Sequence, residues 1–125
     1  MWDKTKALAA LAANAQPMSL GRCAQYTRQA IEAGGLTLVH CTSADDYGAS
    51  LLAVGFVAVT PPPNPYLPGD VGIVQAIPGH PFGHMAMFDG TNWISDFVQL
   101  HGLYPGPAYR AVQPPFTIYR YAVLS

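Results

Sequence analysis

Three side chains in this sequence have the types and spacing for nucleophilic chemistry: Cys23, His84 and Asp96. A thiol attacks a carbonyl carbon as its thiolate, an imidazole takes and returns the proton, and a polar group on the other ring nitrogen fixes the useful tautomer. Cys23 stands in Gly21-Arg22-Cys23-Ala24-Gln25-Tyr26, at the start of a run that reads as a helix up to Gly34-Gly35. A thiol in that first turn meets unpaired backbone N–H groups, the positive end of the helix dipole and the neighbouring Arg22, which together are expected to favour the thiolate. His84 opens the run His84-Met85-Ala86-Met87-Phe88 and shares a face with Ala86 and Phe88. Asp96 belongs to the next run, Trp93-Ile94-Ser95-Asp96-Phe97, across an Asp89-Gly90 hairpin signal. A three-residue loop, Asp89 to Thr91, sets His84 directly opposite Asp96. A loop one residue longer breaks that pairing and leaves Asp96 close by. Each residue also has a bland reading: a small buried apolar thiol, a half-buried histidine, a solvent-facing strand aspartate.

These three need elements to hold them. The segment Asp3 to Asn14 reads as a helix with Leu8, Leu11 and Ala12 on its buried stripe. Its lysines, Ala-rich run and Ala13-Asn14-Ala15 imitate a signal peptide, but the apolar part is short and mostly Ala, and Asp3 sits among the lysines, so a mature helix is expected. After the Cys23 helix, Gly34-Gly35 is a C-cap signal and Leu36 to Val39 reads as extended. Thr42-Ser43-Ala44-Asp45-Asp46 supplies an N-cap and first-turn acids for a helix to about Val54, stopped by Gly55. Phe56 to Val59 is a short strand closed by the Pro61 to Pro65 loop. Pro68-Gly69-Asp70 is a turn in which Asp70 acts as a cap, and Val71 to Gln75 is a strand apolar enough for burial on both faces. In the tail, Phe116 to Val123 reads as one more strand.

Residues 1-125 are expected to form one domain, large enough for a core without staples. The chain is 50% hydrophobic and 10% charged, with a net charge of -1. No basic face for nucleic acid is implied, and the longest apolar run is too short for a membrane span. Cys23 and Cys41 are expected to be free thiols, since a domain of this size does not depend on one bridge. His80 and His84 are four apart, but Gly79, Pro81 and Gly83 rule out the helix that would aim both at one metal ion. With Cys41, His40 and His101 in no metal-ligand spacing, no metal or cofactor is expected.

The order of these segments resembles a family. Gly21-Arg22-Cys23-Ala24-Gln25-Tyr26 resembles the Gly-x-Cys-x-x-aromatic motif of CHAP domains, papain-like amidases and endopeptidases of peptidoglycan peptides related to the NlpC/P60 group. The Gly34-Gly35 helix end, the acidic-aromatic helix ending in Gly55-Phe56, Pro68-Gly69-Asp70-Val71 and Gly83-His84-Met85-Ala86-Met87-Phe88 are similar in the same order. The resemblance implies an α+β, papain-like fold with N-terminal helices packed on a small antiparallel sheet. It implies Cys23 as nucleophile and His84 as base, with Asp96 as third member at a position that varies in the superfamily.

The small size and the absence of a wall-binding module resemble the type VI secretion amidase effectors. That resemblance implies a peptidoglycan peptide substrate, action in the periplasm of a target bacterium, and a cognate immunity protein that occludes the active site. The bond cut is open between the D-Glu to diaminopimelate linkage and the diaminopimelate to D-Ala cross-link. The N–H of Cys23 is the expected first oxyanion donor. Papain-like enzymes often carry a Gln six residues before the Cys, where this chain has Pro17, with Gln16 adjacent. Two alternatives remain: a non-catalytic papain-like binding module, and a thiol hydrolase acting on a protein glutamine or an acyl lipid.

Overall fold

A computed structural model describes residues 2–122. Helix α1 spans Lys4–Asn14, with the Asp3 side chain accepting from the Lys6 N–H as its N-cap. Its buried residues are Ala7 and Leu11, one turn apart; Leu8 packs partly against the same core, while Ala12 faces solvent. Helix α2, Cys23–Ala33, ends at Gly34, as the paired glycines predict. The two helices are joined by Trp2, whose indole N–H donates to the Ile31 carbonyl at 3.0 Å. A Cβ at Gly34 would strike that indole.

The described residues form a six-stranded sheet, antiparallel throughout: β1 Phe56–Val59, β2 Val71–Val74, β3 His84–Phe88, β4 Trp93–Ile94, β5 Val98–Gln99 and β6 Phe116–Tyr121. Their spatial order is β1-β6-β2-β3-β4-β5. Strand β2 is buried along its whole length because both sheet faces are covered. On one face Val71, Ile73, Met85, Met87 and Ile94 meet α1 and α2 through Leu11 and Ile31. On the other, Val74, Ala86, Trp93 and Ile118 meet Leu103 and Tyr109. Tyr109 is carried by helix α4, Pro107–Val112, which lies in a stretch with too short a period to announce itself.

Several expected elements differ in detail. Leu36 to Val39 joins no strand. The helix expected from Thr42 to Val54 is a 3-10 turn, Ala44–Asp46, followed by helix α3, Gly48–Ala53. The interruption falls at Tyr47, just before Gly48, whose missing side chain admits the Tyr119 hydroxyl. The last strand ends at Tyr121, and Val123 lies outside the described residues. Asp70 caps its turn, accepting from the Leu67 N–H at 2.8 Å. It is also 1% exposed and bound by Nε and Nη2 of Arg120, each at 2.8 Å, an ion pair between the turn before β2 and strand β6 that the sequence did not announce.

That pair fixes the centre of the sheet. Arg120→Ala leaves the buried Asp70 carboxylate with a single backbone donor, so a loss of about 3 kcal/mol is expected in urea unfolding. A change below 0.5 kcal/mol, the range of ordinary surface substitutions, would show that the pair contributes nothing to the fold.

Candidate functional site

Cys23 is the first residue of α2 and His84 the first of β3, and both line one cleft of about 510 Å³. Its other walls include His80, Phe82, Phe97 and Tyr109. The ring of Tyr109 lies tilted between the two histidines, 5.1 Å from His80 and 6.1 Å from His84. Gly83 turns the chain into β3 with a φ of 70°, and a Cβ there would strike the Val74 carbonyl and Asp45. The placement of His84 therefore depends on a glycine before it.

The ring partner of His84 is Gln99. The His84 Nε2 to Gln99 Oε1 distance is 2.7 Å. The Gln99 amide nitrogen donates to the Gly102 and Leu103 carbonyls, each at 2.9 Å, so its oxygen must be the acceptor toward histidine. The network thereby assigns the ring proton to Nε2 and leaves Nδ1 as the free basic nitrogen.

Asp96 does not occupy that position, contrary to the expected pairing with His84. The β3–β4 register sets Met87 opposite Ile94 and Phe88 opposite Trp93. The hairpin loop thus has four residues, Asp89 to Asn92, closed by the Asp89 N–H to Asn92 carbonyl bond at 3.0 Å. The extra residue moves Asp96 out of line with His84. The ladder then stops at Ile94, and a tight turn from the Ser95 N–H to the Phe97 carbonyl starts the chain back toward β5, which carries Gln99.

Fully buried, Asp96 serves the other catalytic candidate instead. One carboxylate oxygen accepts from the backbone N–H groups of Leu20 at 2.7 Å and Arg22 at 2.9 Å, on either side of Gly21. The other accepts from the Ser95 hydroxyl at 3.3 Å. The Asp96 carbonyl takes the Gln16 N–H at 2.7 Å. Arg22 caps α2 without a side-chain bond, so Asp96 supplies from the sheet the acceptor that a helix start requires.

Burial controls the charge states. It pushes the Cys23 thiol up to about 11; the negative charge of Asp96 adds to this, and backbone hydrogen bonds from Met85, Ala24 and Cys23 itself oppose it without prevailing. The expectation that the helix start would favour the thiolate is therefore corrected: loss of water outweighs the dipole. Burial likewise lowers His84 to about 4, against the Gln99 bond and the Asp96 charge, which favour the imidazolium. Both groups are neutral near pH 7, an uncharged thiol and an imidazole with a free Nδ1 on one cleft wall.

The remaining singled-out residues lie elsewhere. Gln16 donates its side-chain N–H to Asn14 and is not aimed at the cleft. Cys41 is free, as is Cys23. His40 Nε2 lies 3.0 Å from Arg28. Among the described residues no cluster of His, Cys, Asp and Glu suits a metal ion, and no helix is long and apolar enough to cross a membrane.

No known family profile matches the sequence, and no curated protein matches it. Solved structures do. The type VI native effector-immunity complex Tae3-Tai3 from Ralstonia pickettii contains a chain 52% identical, with a TM-score of 0.90, covering 97% of this chain and 100% of that one. The selenomethionine form of the same complex matches at 54% identity and a TM-score of 0.85, covering 91% and 98%. Ly7917 is 17% identical with a TM-score of 0.57 over 93% of this chain and 62% of its own, a likeness of fold. Identity of this extent over nearly the full length of both chains places the protein in the Tae3 family of type VI effectors.

Proposed function

We propose that this effector is a papain-like cysteine amidase that hydrolyses peptide bonds of bacterial peptidoglycan after injection into a rival's periplasm, and that a cognate immunity protein blocks its cleft. The observation that carries the reading is the joint placement of Cys23 and His84 on one cleft, with Gln99 fixing the imidazole so that Nδ1 is the base. The sequence motifs that resemble CHAP and NlpC/P60 domains fall on these same residues. The complex of the Ralstonia pickettii relative with Tai3 supports the immunity partner.

Because both groups rest neutral, His84 Nδ1 removes the thiol proton as sulfur attacks the carbonyl carbon. The Cys23 N–H, at the open start of α2, is placed to donate to the developing oxyanion. The imidazolium then gives its proton to the leaving amine. Water attacks the thioester, with Nδ1 again as base, and the acid is released with the free thiol. Gln99 is a positioning residue, as is Asp96, which holds the loop before the nucleophile.

The decisive assay is digestion of purified Gram-negative sacculi, with released fragments identified by mass. Wild type is expected to cut a stem-peptide or cross-link bond, and Cys23→Ala and His84→Ala to leave the wall intact. Intact sacculi with folded, thiol-competent wild type would sink the reading.

The charge states give a second test. In a Cys41→Ser background, alkylation of Cys23 is expected to rise steadily from pH 6 to 10, since the thiolate fraction grows tenfold per unit below a pKa of about 11. The acid limb of kcat/KM is expected near pH 4, where His84 takes up its proton and ceases to be a base. An alkylation plateau near neutrality would instead indicate a preformed thiolate–imidazolium pair.

Gln99 and Asp96 are separated by their substitutions. Gln99→Ala frees the His84 ring and is expected to lower kcat by up to about a hundredfold, with a shifted acid limb. Asp96→Asn keeps an oxygen for the Leu20 and Arg22 N–H groups and is expected to lose less. The reverse order would return Asp96 to the role of third catalytic residue.

A further inference from the structure

The cleft with His84 is one side of Cys23. On the other side lies a second hollow of about 300 Å³, whose walls include Arg22, Arg28, His40 and Thr42, with Gly21, Cys23 and Phe82 common to both. The two sides differ in chemistry. The His84 side is walled largely by Phe82, Phe97, Tyr109 and prolines, whereas the second carries two arginines and no acidic lining residue.

Arg28 is held rather than loose. Its Nη1 donates to Glu32 at 2.9 Å and to His40 Nε2 at 3.0 Å. The other oxygen of Glu32 accepts from the Leu38 N–H at 3.2 Å, so the assembly is tied to the loop after α2. Nε and Nη2 of Arg28 make no hydrogen bond among the described residues, which leaves much of the guanidinium fork for an incoming group. Arg22 makes no ion pair among the described residues, while its backbone is fixed by Asp96. Glu32 sits behind Arg28 and the buried Asp96 behind the backbone of Arg22, so the hollow offers an incoming anion two guanidinium groups rather than a net positive charge.

We propose that this hollow binds a free carboxylate of the substrate, on the opposite side of the scissile bond from the apolar cleft. This rests on the amidase reading and adds the substrate feature that is recognised. Cys23 and Arg28 lie on one helix, five residues apart, a rise of about 7.5 Å. An extended peptide covers that distance in roughly two residues. The carboxylate therefore belongs within two residues of the bond that is cut, as the free carboxylates of D-glutamate and diaminopimelate do in a stem peptide.

The test uses two synthetic cross-linked stem peptides that differ only in whether the carboxylates flanking the scissile bond are free acids or carboxamides. Wild type is expected to favour the acid by at least about tenfold in kcat/KM, chiefly through KM, as a charge-assisted bidentate contact allows. Arg28→Gln is expected to bring the acid-to-amide ratio to within about twofold of unity, and Arg28→Lys to retain part of it, because charge without the planar fork binds less specifically. If Arg28→Gln does not fold, Arg22→Gln, a change in an exposed side chain, is expected to reduce the same ratio. Equal rates on acid and amide by wild type overturn this inference while leaving the amidase reading in place, as does a preference that survives both arginine substitutions. Failure of folded wild type to cut either peptide overturns the amidase reading and this inference with it.

Discussion

The site depends on a buried carboxylate whose hydrogen bonds go to neither Cys23 nor His84. Asp96 holds the N–H groups of Leu20 and Arg22 with one oxygen, and its backbone carbonyl holds Gln16. Those bonds tie the loop before α2 to the turn after β4. Without them a fully buried charge would keep only the Ser95 hydroxyl and three backbone donors would lose their partner, each a cost of about 1–3 kcal/mol. Helix α2 packs on the sheet through Ile31 and Ala30, but packing alone leaves its first turn free to fray. The clamp fixes that turn, and with it the position of Cys23 relative to β3.

The same burial that makes the clamp strong makes the site electrically quiet. A thiol pushed up to about 11 and an imidazole lowered to about 4 do not exchange a proton in the empty cleft. The negative charge of Asp96 acts on both, opposing the thiolate and favouring the imidazolium. In the proposed amidase reaction, proton transfer is then most favourable when charge moves onto a substrate oxygen that the helix start can stabilise, which couples chemistry to occupancy of the cleft. A resting thiol of this kind is also poorly reactive toward other electrophiles.

Much of this was legible in the sequence, and the failures have local causes. The placement of Cys23 at a helix start and of His84 at a strand start was legible because Gly21 and Gly83 leave strong signals before them. Asp96 was expected opposite His84 and lies out of line with it, because Asp89-Gly90 announces a hairpin without fixing its length. Four loop residues instead of three move the following strand by one position. Gln99 was missed because it sits on a two-residue strand after a turn, where no period can be read. Its role arises from the return of β5 alongside β4, a tertiary event. The lowered dipole advantage at Cys23 was equally invisible, since desolvation is set by packing and not by neighbours in sequence.

The division of labour around Cys23 follows from which elements meet there. Helix α2 carries Cys23 and, about one and a half turns on, Arg28, so thiol and guanidinium are placed by one rigid element. The sheet supplies His84 from β3 and Gln99 from β5, on either side of β4, so the imidazole and its hydrogen-bond partner are placed by one antiparallel array. The loop and α4 that carry Tyr109 close the apolar side. The position of Cys23 relative to His84 therefore follows from one alignment, that of α2 against β3, which is held by the Asp96 clamp and by the Thr27 hydroxyl donating to the Met85 carbonyl at 3.3 Å. A substitution that loosens either contact is felt as misplacement of sulfur relative to Nδ1, with both side chains still present and the fold intact.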